Sequence, residues 1–303
     1  MNRREFNLDV TRTLPLTLGL GSSGFAAAAA ADDEKRLVVI PLRWSREVFV
    51  VPPARPHCFV RHLNLEGFTC ANSKTVPGAE QGVWVSDHIW EWREDGTFAC
   101  TGTVVEGAGY SLELKPGRDF LDMQVTLRNQ GTKTLEDLSG TMCLDIRRNT
   151  LMYDPSMKRT YVEVGGGPVP MSQTDVAGSL GGVMPTYFLQ GTPPERRWIS
   201  AGASAYGWSI SRTEIDSPLV AVTSLDGAWT TGEWFWPCSR VTGNYKPPYH
   251  GCIHSEPAFG TLAPGGSATV VGRLYLMRGS LGTAWSRMAA DFRRVKEQAQ
   301  RPI

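Results

Sequence analysis

The stretch Tyr110-Ser111-Leu112-Glu113-Leu114-Lys115-Pro116-Gly117-Arg118-Asp119-Phe120-Leu121-Asp122-Met123-Gln124-Val125-Thr126-Leu127 decides the fold class. Tyr110, Leu112 and Leu114 alternate with polar residues, and so do Leu121, Met123, Val125 and Leu127. A period of two places the apolar side chains of a strand on one face. Between the runs, Lys115-Pro116-Gly117-Arg118-Asp119 is a turn, so the two runs predict a β-hairpin. Similar short runs recur along the chain: Leu37 to Ile40, Val48 to Val51, Gly140 to Ile146, Ala205 to Ser211, Leu219 to Thr223, Glu233 to Trp236 and Ala268 to Met277. Many strands separated by Gly, Pro, Asn and Asp, with hardly any helical period, predict an all-β protein built as a large antiparallel β-sandwich.

Two stretches break this pattern. From Gly165-Gly166-Gly167-Pro168 through Gly181-Gly182 to Pro193-Pro194 the chain is rich in Gly and Pro, which predicts a long ordered loop closing over a pocket. Within residues 280–300, Leu281, Trp285, Met288, Phe292 and Val295 recur at three- and four-residue steps, opposite Arg287, Arg293, Arg294 and Lys296. This is one C-terminal amphipathic helix, read either as a cap on an open end of the sandwich or as a membrane-surface element.

The N-terminus carries a targeting pattern. Arg3-Arg4 precedes a mildly apolar run from Leu14 to Leu20, then small residues from Ala26 to Ala31. Residues 1–31 resemble a twin-arginine signal peptide, which implies bacterial export to the periplasm or the medium and leaves residues 32–303 as a single domain. No later run approaches the ~20 apolar residues of a transmembrane helix. With 31 basic and 30 acidic residues the net charge is +1, so no global field favours nucleic acid or an anionic membrane. Six cysteines in an exported chain are compatible with disulfides, and six allow 15 pairings. A bridge from Cys252 to Cys238 and a free Cys252 both stay open.

The chemistry concentrates in Tyr249-His250-Gly251-Cys252-Ile253-His254-Ser255-Glu256-Pro257. An extended backbone puts His250, Cys252, His254 and Glu256 on one face, about 6.5 to 7 Å apart along the strand. Imidazole titrates near neutral pH and burial raises a carboxyl towards it, so Glu256 with His254 or His250 suits acid–base work. The same groups could hold a divalent metal: His250, His254 and Glu256, joined by His62 or His88. A structural role, with Glu256 paired to an arginine and Cys252 bridged, is the third reading.

Aromatic residues supply a second pattern. Six of the ten tryptophans cluster, Trp84, Trp90 and Trp92 in one run and Trp229, Trp234 and Trp236 in another, the latter near Tyr245 and Tyr249. Indole faces beside hydrogen-bonding groups suit sugar rings, so Trp90, Trp92, His88, Trp234, Trp236, Tyr249 and His62 are candidate substrate contacts. The competing reading is that such rings fill a β core.

The run Leu121 to Arg128 followed by Asn129-Gln130-Gly131 resembles the strand and turn of galactose-mutarotase-like sandwich proteins. Glu256 followed by Leu262-Ala263-Pro264-Gly265-Gly266-Ser267 and a last strand resembles their closing segment. The resemblance implies a supersandwich-like fold, sugar chemistry and a general-base role near Glu256. It also implies an acid histidine in the strand after the Asn turn, where Met142 and Cys143 stand instead.

These readings converge on an exported carbohydrate-active protein, an enzyme of epimerase, lyase or hydrolase type, with a carbohydrate ligand and no required cofactor beyond an optional divalent metal. The alternatives are a non-catalytic glycan-binding module and a periplasmic metal-binding protein.

Overall fold

The computed structural model describes residues 36–42, 45–70, 89–104, 107–175, 184–198, 208–244 and 251–299. The proposed signal peptide, His88, Tyr249 and His250 lie outside them. Among the described residues the strands form two sheets. The first runs β1 (Val38–Pro41), β2 (Glu47–Val51), β3 (Val60–Thr69), β8 (Leu135–Asp145), β16 (Cys252–Leu262), β15 (Cys238–Asn244), β11 (Met184–Tyr187) and β12 (Trp208–Ile210). The second runs β10 (Gly167–Pro170), β9 (Thr160–Val164), β13 (Val220–Thr223), β14 (Trp229–Trp236), β17 (Ser267–Arg278), β7 (Phe120–Asn129), β6 (Ala108–Pro116), β5 (Phe98–Val104) and β4 (Ile89–Trp92). Neighbours are antiparallel except β11 and β12. The protein is a large β-sandwich with one C-terminal helix, α1 (Leu281–Ala299).

The opening hairpin forms as its pattern demands. Leu112 lies opposite Val125 and Leu114 opposite Met123 in β6 and β7, and the Gly117 N–H closes the turn on the Phe120 carbonyl at 2.8 Å. Leu112, Leu114, Val125 and Leu127 point into the inter-sheet core, where they meet Val48, Val50, Leu144 and Ile253 of the first sheet. Burial of each such side chain stabilises the fold by about 1.5–3 kcal/mol. The two turns singled out in the sequence are tied together. The Asn129 side-chain amide donates to the Leu262 carbonyl at 2.9 Å, and the Gly265 N–H donates to the Asn129 carbonyl at 2.8 Å.

Two expectations need correction. The Gly/Pro-rich stretch is not one covering loop, for it contains β10 and β11. Gly165 and Gly166 adopt φ of 63° and 81°, which lets two residues turn β9 into β10. The helix caps no open end: Ala284, Trp285, Met288 and Phe292 pack on the outer face of the second sheet, against Leu219, Trp234 and Tyr275. No helix among the described residues is long and apolar enough to cross a membrane.

A polar bridge crosses the otherwise apolar interior. Glu233 on β14 places one carboxylate oxygen 3.1 Å from His62 Nε2, and the other accepts the Ser255 N–H of β16 at 2.9 Å. The far ring nitrogen of His62 meets Asn64 Oδ1 at 2.9 Å, and the Phe235 N–H donates to Ser255 Oγ at 3.0 Å. His62 and Glu233 have no exposed side-chain surface. A buried carboxylate is tolerated only when so satisfied. Glu233→Ala leaves His62 and the Ser255 amide without it and is expected to cost about 3–5 kcal/mol in urea unfolding. An unshifted midpoint would show that the bridge does not hold the sheets.

Candidate functional site

Alternation along β16 divides its residues between two environments. Ile253 enters the inter-sheet core and Ser255 meets Glu233, so Cys252, His254 and Glu256 lie on the outer face of the first sheet. Neighbouring strands complete that face. On β15, Thr242 lies opposite His254 and Arg240 opposite Glu256. On β8, Leu144 is in the core, which turns the adjacent Cys143 outward beside β16. Cys252, His254 and Glu256 are nonetheless buried, at 7, 2 and 3 % exposure.

These side chains form a continuous relay. The His254 Nε2 lies 3.2 Å from Cys252 Sγ, and its Nδ1 lies 2.6 Å from Thr242 Oγ1. The Thr242 hydroxyl donates to Glu256 Oε1 at 3.5 Å. Arg240 Nη2 stands 2.6 Å from Glu256 Oε2, an ion pair by distance although the N–H directions are not aligned for a hydrogen bond. The Arg240 guanidinium carbon lies 6.0 Å from the centre of the Trp198 ring, and the Trp208 ring is 5.8 Å from the His254 ring. Beside Cys252, the buried Asp145 gathers three cations: Arg61 at 2.6 Å, Arg147 at 3.0 Å and Arg148 at 3.9 Å.

The sulfur and imidazole groups shift one another's proton affinities. Cys252 is lowered to about 6, chiefly because the Cys143 thiol donates a hydrogen bond to its sulfur; burial opposes this and the charge on His254 assists. Cys143 is raised well above the usual thiol value by that same donation and by burial. Burial alone would push His254 down, but the Cys252 thiolate, its hydrogen bond, Glu66 and Glu256 together raise it to about 9. Between those two values the site holds a thiolate beside an imidazolium whose Nε2–H points to sulfur. Its Nδ1–H then donates to Thr242, and the threonine hydroxyl passes the polarity on to Glu256.

The structure brings together only part of the predicted site. His254 and Glu256 share a face, but Glu256 is held by Arg240, and His254 turns to Cys252 and Thr242 rather than sharing a ligand with Glu256. His62 is sealed between the sheets, because its strand directs it inward. Trp234 is buried beneath α1 with its indole N–H on Tyr275, and Trp236 packs on Phe292. Trp234 is thereby covered, while Trp236 stays partly exposed. Trp90 packs on the core and donates to the Ser45 carbonyl at 2.8 Å. Trp92 is 66 % exposed on edge strand β4, in the other sheet from the site. Of the two states left open for Cys252, the structure has the free thiol: Cys238 meets Ser255 Oγ and the Arg240 carbonyl, whereas Cys252 meets His254. Thr242, Arg240, Trp198 and Trp208 went unmarked in the sequence, and Cys143 was noted there only as standing in the place of a histidine, since strand pairing alone places them beside β16.

By sequence, no family model and no curated protein matches the chain. Among solved structures it is similar to a putative aldose 1-epimerase from Escherichia coli, at 11% identity and TM-score 0.45 over 80% of this chain and 100% of that one. It is also similar to a galactose mutarotase-like protein from Lactobacillus casei, at 12% identity and TM-score 0.47 over 80% and 100% of the two chains. A galactose mutarotase related enzyme from Lactobacillus acidophilus aligns at 10% identity and TM-score 0.42, over 81% and 98%. Likeness of this degree concerns the arrangement of strands, and no chemistry is transferred from it.

Metal-free, reduced protein should show thiolate absorbance growing in with a midpoint near pH 6, a step missing from Cys252→Ser. The sign follows from the lowered value: thiolate persists above about 6 and is lost as pH falls through it. A midpoint near the ordinary thiol value of ~8.5 would show that the His254 and Cys143 contacts do not act on the sulfur.

Proposed function

We propose that the outer face of the first sheet is an acid–base site acting on a sugar or polysaccharide, in an exported protein. The observation that carries this reading is the unbroken line Cys252, His254, Thr242, Glu256, Arg240 on one sheet face. Polar groups are costly to bury, and such clusters of mutually shifted titratable groups collect at functional sites. In this reading Glu256 takes a proton from a sugar hydroxyl or carbon, while Arg240, 2.6 Å away, orients the carboxylate. Thr242 joins Glu256 to His254, so the relay holds the one carboxyl that takes the proton and gives it back to the sugar. Trp198 and Trp208 flank the line and supply the apolar faces that sugar C–H surfaces stack on. The reaction class is proton transfer at a sugar, as in epimerisation, elimination or hydrolysis.

A binding-only role rests on a different observation, the exposed Trp92, whose ring stands edge-on to Phe98 at 4.4 Å between centroids. An oligosaccharide turnover screen on the whole protein distinguishes the two. Glu256→Gln should lower turnover of any sugar that reacts by at least ~100-fold, the scale of a general base, with sugar affinity retained. Binding abolished by Trp92→Ala, with no turnover of any sugar by the native chain, would refute the catalytic reading.

A further inference from the structure

Cys143, Cys252 and His254 form a separate constellation within that face. Their sulfur and ring-nitrogen atoms all lie within 4.8 Å of one another, and all three residues are buried. Two sulfurs and one imidazole nitrogen are a donor set for a thiophilic ion. Hard cations such as magnesium and calcium take oxygen ligands instead. The support around the histidine is of the kind metal-binding imidazoles have: its other nitrogen is fixed by a hydrogen bond, here His254 Nδ1 to Thr242 Oγ1 at 2.6 Å, leaving Nε2 aimed at the sulfurs. The backbone is prepared as well. Leu63 pairs with Cys143 on one side of β8 and Cys252 with Asp145 on the other, so the two thiols stand on directly hydrogen-bonded strands. Charge also balances: two thiolates and a neutral imidazole neutralise a divalent ion, and Arg147 beside Cys252 and Cys143 offsets the excess when the ion is monovalent.

We propose that Cys143, Cys252 and His254 form a site for a thiophilic d10 metal ion, zinc(II) or copper(I), with Thr242 as the positioning residue. Three protein ligands complete a trigonal copper(I) site, or leave a fourth position open on a tetrahedral zinc(II). Binding displaces the thiol protons to solvent and leaves both sulfurs as metal thiolates. With the ion in place His254 serves as a ligand, and Glu256 with Arg240 remains as the proton-handling pair of the same face. Metal uptake is read without any sugar, so it stands or falls separately from the carbohydrate reading.

The test is stoichiometry and affinity on the full chain, reduced and dialysed against chelator, then titrated with zinc(II) and, without oxygen, with copper(I). One equivalent of either ion per chain is expected, with sulfur-to-metal charge-transfer absorption on cobalt(II) substitution. Thr242→Val should weaken uptake by about 10- to 100-fold, the usual effect of removing a ligand's hydrogen-bond partner. Cys143→Ser and Cys252→Ser should abolish the stoichiometric equivalent, while Cys58→Ser, in the core away from the site, should not. Should the site cysteine variants fail to fold, the cobalt spectrum of the native chain and the Thr242→Val affinity decide. Less than about a tenth of an equivalent on folded native protein would overturn the proposal. So would a cobalt complex without the sulfur band, affinity unchanged in Thr242→Val, or an intact mass showing Cys143 and Cys252 joined as a disulfide.

Discussion

The carboxylate of Glu233 is the constraint on which the arrangement depends. It belongs to the second sheet yet accepts a backbone N–H from β16 in the first, at Ser255. Among the described residues, β8 partners are paired with β16 at Ile253 and Ala258 and with none between, so this carboxylate supplies what the ladder omits there. Burying a charge between sheets is expensive, and this one is offset by His62, by the amide and by the seryl bond back to Phe235. Ser255 is thereby pinned from inside. Its neighbours His254 and Glu256 must face outward, since successive strand residues point to opposite sides.

The two outer faces of the sandwich are put to different uses. On the second sheet, α1 lays Trp285, Met288 and Phe292 over Trp234 and Tyr275, making a second apolar layer. The corresponding face of the first sheet carries sulfur, imidazole, carboxylate and guanidinium groups. Its buried polar atoms are largely satisfied by one another, and so the groups hold fixed orientations without packing into an apolar core. The three arginines on Asp145 extend the same face towards the exposed surface, with Arg148 the most exposed of them.

The fold was legible in the sequence because alternation and turn chemistry are local. The hairpin at β6 and β7, the strands at β2, β13 and β17 and the C-terminal helix all follow from runs of a dozen residues. The Gly/Pro stretch misled because glycine signals a turn without saying whether strands resume beyond it, and two glycines at positive φ made β9 and β10 a hairpin. For the site, the row on β16 was readable, since parity along one strand is a local property. Its partners were not. Arg240, Thr242 and Cys143 reach it through the order of strands in the sheet, and strand order is a long-range outcome that periodicity does not encode. The tryptophans were an ambiguous guide for a related reason. An indole in an alternating run reads the same whether its face meets solvent or a helix, and α1 settled that for Trp234 and Trp236.

The resemblance to mutarotase-like sandwiches implied an acid histidine in the strand where Met142 and Cys143 stand; in the structure Met142 enters the core and Cys143 faces the same side as His254. Its two partners come from a strand far along the chain, and the sulfurs meet only once β8 and β16 have zipped together. Such distant pairings close late in folding, because the loop between them must be ordered first. Until then each thiol is an independent nucleophile open to oxidants and to the chain's other cysteines. A chain folded before it meets an oxidising environment would therefore present these two sulfurs to each other rather than to its other cysteines.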